Sequence, residues 1–95
     1  LARHLPPRAF VMAAYRVEIR VMPRAGLLDP QGQAVNHALH ALGFAEVGEV
    51  RVGKHLVLHL DAPTPDAATT RARAMCDRLL ANPVTEDYEL LVGTA

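Results

Sequence analysis

The chain has 95 residues, enough for one domain that buries roughly 60 to 65% of its unfolded surface, so a small core and a gain from oligomerisation are expected. Ten Lys plus Arg balance ten Asp plus Glu, which removes the long-range field that a dedicated nucleic-acid or anionic-membrane binder relies on. The single cysteine, Cys76, excludes an internal disulfide, and no apolar run approaches the about 20 residues of a membrane span.

Residues 1–11 carry Pro6, Pro7, Arg3, His4 and Arg8 without periodicity. They read as an N-terminal extension or tag-like tail, because the prolines interrupt any signal-peptide apolar core. Residues 12–95 then read as one domain. Tyr15, Val17, Ile19 and Val21 alternate with Arg16, Glu18 and Arg20, the period-two pattern of a strand with one buried face. Pro23 and Gly26 end it.

Asp29 and Pro30 start a helix, Asp as N-cap and Pro at N1, where a missing N–H costs nothing. Gly32 is unusual at N3, because a capping box places Glu or Gln there; glycine suggests close approach of another backbone. Val35, Ala38, Leu39 and Leu42 form an apolar stripe, and Gly43 followed by Phe44 predicts a Schellman ending. Val47 to Leu60 reads as two strands joined at Gly53 to His55, a hairpin that pairs Val52 with Leu56 and Val50 with Leu58 and projects Lys54 at its tip. Thr64 and Pro65 start a second helix, whose core stripe is Ala68, Ala72, Met75, Cys76, Leu79 and Leu80. Asn82 and Pro83 stop it. Tyr88, Leu90 and Val92 mark a last strand.

The order β-α-β-β-α-β in two similar halves predicts an α+β, ferredoxin-like sandwich: a four-stranded antiparallel sheet with two helices on one face. The other face carries Arg16, Glu18 and Arg20 with apolar spots at Val57 and Leu91, which a second copy could cover. A homodimer is expected, with a tetramer left open.

The residues that could carry chemistry are few. His37, His40, His55 and His59 lack the carboxylate or cysteine spacing of a metal site and read as solvent-facing. Cys76 lies on an apolar stripe, as a small buried thiol does, and the chain has no serine, so covalent catalysis lacks its parts. Gly26 and Gly32 flank a helix N-terminus, but the capping aspartate opposes a phosphate there. RNA recognition would need stacking aromatics and positive charge on the open sheet, which the sequence does not supply. No catalytic, cofactor or metal residue is expected. What remains is a set of outward-facing turn residues: Asp29, Gln31, Arg51, Lys54, Asn82 and Glu86.

Asp29-Pro30-Gln31-Gly32, then Arg51-Val52-Gly53-Lys54, then Leu79-Leu80-Ala81-Asn82-Pro83-Val84 with Glu86 and Tyr88, resemble the small S subunit (PurS) family of bacterial formylglycinamide ribonucleotide amidotransferase. The likeness runs from about Tyr15 to Val92. It departs at Pro23, where a lysine-rich turn would stand, with Arg24 keeping a charge nearby, and at Thr85. The resemblance implies a cytoplasmic, non-catalytic subunit that joins an ATP-dependent synthetase subunit to a glutaminase subunit in purine synthesis. ATP and magnesium are then expected on the synthetase and no cofactor on this chain. Partner contacts are implied at Asp29, Gln31, Gly32, Arg51, Gly53, Lys54, Asn82 and Glu86. The competing expectation is a small-ligand regulatory domain of the ACT type, which shares this element order and would hold an effector near Asp29 to Gly32.

Overall fold

The computed structural model describes residues 12–95, so the extension expected over residues 1–11 lies outside the described residues. Strand β1 (Ala13–Pro23) is the centre of the sheet, with β2 (Lys54–Ala62) and β3 (Glu86–Thr94) antiparallel on either side in the order β2-β1-β3. Its alternation decides the layers. Tyr15, Val17, Ile19 and Val21 are all buried, and each brings an apolar neighbour with it: Val17 stands between Leu58 and Val92, and Ile19 between Leu56 and Leu90. On the opposite face Glu18 stands between Val57 and Leu91, which are about half and two-thirds exposed, as expected for an open face. That face is tied by Arg16 to Glu18 at 2.7 Å and His55 to Glu18 at 3.2 Å, exposed pairs that add little stability.

Helix α1 (Pro30–Ala41) starts and stops where its caps predict, and helix α2 (Pro65–Met75) starts at its predicted cap but ends at Met75, before the stop expected at Asn82 and Pro83. The Thr64 hydroxyl accepts from the Ala67 N–H at 3.0 Å. At the end of α1, Phe44 N–H donates to Leu39 and Gly43 N–H to His40, with Gly43 at φ +98°, the paired bonds of a Schellman ending. Only α2 lies on the sheet, through Ala68, Ala72 and, beyond its end, Cys76. The expectation of two helices on one face is therefore corrected: α1 makes no more than marginal contact with any strand.

The described residues also form three strands, not four. Residues 47–53 do not fold back as a hairpin; they run straight on into β2, and the pairs Val52 with Leu56 and Val50 with Leu58 do not form. Alternation at Val50 and Val52 reports an extended backbone, and it cannot report what satisfies that backbone. Here the Asp29 carboxylate takes the Val52 N–H, and side chains of α1 take the Val47 and Gly48 carbonyls. Gly53 passes directly against the Val21 carbonyl and Met22, a crossing that a Cβ would block, instead of forming a turn with Lys54 at its tip.

The second correction concerns Leu79. After α2 the chain widens into a π turn (Cys76–Leu80), closed by Ala81 N–H donating to the Cys76 carbonyl at 3.0 Å. The wider turn slips the helical phase by a residue, so Leu80 packs on the core while Leu79 is 81% exposed. The core that results is small. Among the described residues β1 supplies every large buried side chain, and the rest are Ala62, Ala68, Ala72, Ala81 and Cys76.

Candidate functional site

The three sequence motifs, separated by up to some fifty positions, meet at the end of the sheet where β1 finishes in Pro23. Asp29 is the hub. One carboxylate oxygen accepts from Gly32 N–H at 3.0 Å and caps α1; the other accepts from Val52 N–H at 2.9 Å, tying α1 to the extended run before β2. Gly32 is explained by the same junction. A Cβ at this position would overlap the Val50 carbonyl oxygen and the Asp29 carboxylate, so only glycine lets α1 lie this close. One turn and two turns further along α1, Asn36 Nδ2 donates to the Gly48 carbonyl at 3.5 Å and His40 Nε2 lies 2.7 Å from the Val47 carbonyl. A carbonyl only accepts, so His40 carries its proton on Nε2. Sequence reasoning missed Asn36 and His40, although their spacing of four from Gly32 puts all three on one helical face.

Arg51 reaches across from this run and donates to the Pro23 carbonyl. Pro23 in turn stands opposite Glu86 in the β1–β3 ladder, which brings in the third motif. There Asn82 and Glu86 are occupied with the turn itself: Asn82 Oδ1 accepts from Val84 N–H at 3.0 Å, and Glu86 Oε1 accepts from Asn82 N–H at 2.7 Å. Arg24, beyond the predicted set, stitches the turn to β1, its guanidinium 2.6 Å from the Pro83 carbonyl and 3.3 Å from Asp87. Gln31 and Lys54 are exposed and make no side-chain hydrogen bond among the described residues. Asp29, Asn82 and Glu86 thus shape this surface, and Gln31 and Lys54 present side chains from it.

The hydrogen bonds from Gly32, then Val52, hold the Asp29 carboxyl below its usual value, and Arg51 acts in the same direction. A carboxylate with a lowered folded pKa contributes stability that is present above its unfolded value of about 3.9 and is lost as pH falls through the folded value. The Val52 amide is therefore expected to lose hydrogen-exchange protection as pH drops below about 4, and Asp29→Asn is expected to remove that pH dependence. Amide exchange followed by NMR across this range checks both outcomes; an Asn variant with the same acid transition would count against Asp29.

Elsewhere the chemistry is sparse. Burial pushes the Cys76 thiol up, away from a thiolate at neutral pH. Burial, followed by its bond to Asp77 at 3.1 Å, also raises the Tyr88 phenol. Among the described residues no group of three or more His, Cys, Asp or Glu is placed to hold a metal ion, and no helix is long and apolar enough to cross a membrane. The hollow beside Asp29 and Gly32 measures about 170 Å³, well under the roughly 300 Å³ at which small-molecule pockets begin.

Comparison with known proteins agrees with the motifs. The family model described as PurS: Phosphoribosylformylglycinamidine (FGAM) synthase matches residues 16–93. The chain is 43% identical over 74 residues to the phosphoribosylformylglycinamidine synthase subunit PurS of Bacillus subtilis, covering 78% of this chain and 87% of that protein. With the corresponding subunit of Synechocystis the identity is 42% over 83 residues, covering 87% and 83%. Among solved structures, B. subtilis PurS superposes with a TM-score of 0.76 at 40% identity, covering 83% of this chain and 98% of that one. A chain in the structure of PurLQS from Thermotoga maritima gives 0.76 at 29% identity, covering 84% and 98%. The ACT-type reading finds no support in these relatives. From the Asp29 junction, the Pro23 crossing and the Asn82 turn to the matched model and these relatives, the chain belongs to the PurS family of phosphoribosylformylglycinamidine synthase.

Proposed function

We propose that this chain is the non-catalytic S subunit of a phosphoribosylformylglycinamidine synthase complex of the PurLQS kind, an ATP-dependent ligase of de novo purine biosynthesis acting in the cytoplasm. In this reading residues 12–95 work as one domain. The domain acts as a homodimer that holds the glutaminase subunit against the synthetase subunit, so that ammonia released from glutamine reaches formylglycinamide ribonucleotide before water protonates it. ATP and magnesium belong to the synthetase. The observation that carries the reading is the convergence of three separated family motifs on one end of the sheet. Asp29, Asn82 and Glu86 there accept from backbone N–H groups and Arg51 donates to a backbone carbonyl, so these side chains shape a turn, a crossing and a surface. The relative in the T. maritima PurLQS structure supports assembly with two further subunits. Partner contacts are assigned to Asp29, Gln31, Gly32, Arg51, Gly53, Lys54, Asn82 and Glu86, with Gly32 and Gly53 acting through the close backbone approaches they allow within this chain.

Arg51→Ala combined with Lys54→Ala is expected to leave the isolated chain folded by circular dichroism, because both side chains are exposed. Glutamine-dependent activity of the reconstituted complex should fall by roughly tenfold or more, as for loss of two contacts of 1 kcal/mol or so each. Unchanged assembly and unchanged glutamine-dependent turnover would reject the assigned surface.

A further inference from the structure

Where α2 gives way to the π turn, an ion pair that the sequence invites does not form. Arg73 and Asp77 stand four residues apart, the spacing at which opposite charges meet on a regular helix. The regular helix stops between them at Met75, and the π turn begins at Cys76. Asp77 turns instead to β3, where one of its oxygens accepts from the Tyr88 hydroxyl at 3.1 Å. Among the described residues neither Arg73 nor Asp77 enters an ion pair. Burial first, then Asp77, raises the Tyr88 phenol, and Arg73 acts against them, so both charges lie beside one hydroxyl.

The two charges line a cleft of about 340 Å³, inside the range of roughly 300 to 1,000 Å³ that small-molecule sites occupy. Its other charges are largely spent. Arg24 lies 3.3 Å from Asp87 and donates to the Pro83 carbonyl, and one oxygen of Glu86 accepts from the Asn82 N–H. What stays open is the Arg73 guanidinium and the second oxygens of Asp77 and Glu86. A free anion such as phosphate would find Arg73 but face three carboxylates, those of Asp77, Glu86 and Asp87; a simple cation would find those carboxylates but face Arg73 and Arg24. A molecule with a carboxylate and an ammonium on the same carbon satisfies both sets, each through charge-assisted hydrogen bonds. By turning Asp77 toward Tyr88, the π turn keeps the two open charges from neutralising each other.

We propose that this cleft binds a free α-amino acid with an uncharged side chain: Arg73 takes its carboxylate, Asp77 and Glu86 take its ammonium, and its side chain lies along Ala81 and Pro83. The site shares Glu86 with the partner surface proposed above, but its test needs only this chain. The full ¹⁵N-labelled chain is titrated with L-valine and L-asparagine, and with 3-methylbutanoate and isobutylamine, which each keep one charged end of valine. Saturable shifts of the Asp77 and Tyr88 amides with at least one of the amino acids, at roughly millimolar concentration or below, are the expected result, and neither half-ligand should match it. Shifts with 3-methylbutanoate as strong as with the amino acids would mean an adventitious anion only and would overturn the proposal. The absence of a saturable shift with either amino acid, or shifts confined to residues outside the cleft, would overturn it as well. Arg73→Gln and Asp77→Asn, both at exposed positions, should keep the circular dichroism of the parent. Each should weaken binding by roughly tenfold or more, the scale of losing one hydrogen bond to a charged group; an unchanged dissociation constant in either would reject the assignment.

Discussion

Gly32→Ala is expected to destabilise the chain by about 1–3 kcal/mol, against the sign that helix propensity alone gives. In an exposed helix interior alanine is favoured over glycine by about 1 kcal/mol. Here the added methyl would overlap the Val50 carbonyl and the Asp29 carboxylate, both of which are held in place: Val50 lies between residues whose backbone bonds to α1, and Asp29 caps the helix and ties down Val52. Relief requires α1 to move away from residues 47–53, which breaks the Asp29–Val52 bond. Urea unfolding together with the exchange rate of the Val52 amide measures the effect. A variant more stable than the parent would show that the close approach does not constrain the helix.

Ile19→Ala should cost about 2–5 kcal/mol, the range for a buried branched aliphatic cut back to alanine. Ile19 is fully buried at the centre of β1, between Leu56 and Leu90, with Ala72 and Cys76 in the layer above. Those neighbours are short and cannot collapse into the space. Against a total stability of about 5–15 kcal/mol, this one change removes a large share. Chemical denaturation gives the value, with Leu79→Ala as the contrast: its side chain already stands in solvent, so the change should stay within about 0.5 kcal/mol. Equal losses at the two positions would contradict the phase slip of the π turn.

Much of this was legible from residues alone, for local reasons. The faces of β1, the Asp29 and Thr64 caps and the Gly43 ending are each written in residues close together in the chain; the end of α2 at Met75 was not, because Asn82 and Pro83 mark only the end of the π turn that follows it. The misses were non-local. Val50 and Val52 announced an extended backbone, but what ties that run down is set elsewhere: Asp29, 23 positions before Val52, takes its N–H, and Asn36 and His40 take the Gly48 and Val47 carbonyls. Leu79 failed because a period of 3.6 was carried through a turn that does not keep it. For the site, the motifs were found and their meeting place was not. Pro23 joins them, since its carbonyl takes Arg51 and its ladder position faces Glu86. Nothing in the local sequence around Pro23 announces that role.

The central place of β1 bears on how the chain folds as it leaves the ribosome. Among the described residues the strand that carries every large buried side chain precedes both of its neighbours, and its two ladders wait for residues 54–62 and 86–94. Closing the second ladder joins Tyr15 to Thr94, the kind of long loop that slows folding and leaves an apolar strand exposed meanwhile. The tie of Asp29 to Val52 is shorter in the chain, spanning 23 positions. Until the second ladder closes, β1 keeps its apolar face exposed, which makes it the segment most open to aggregation in a partly folded chain.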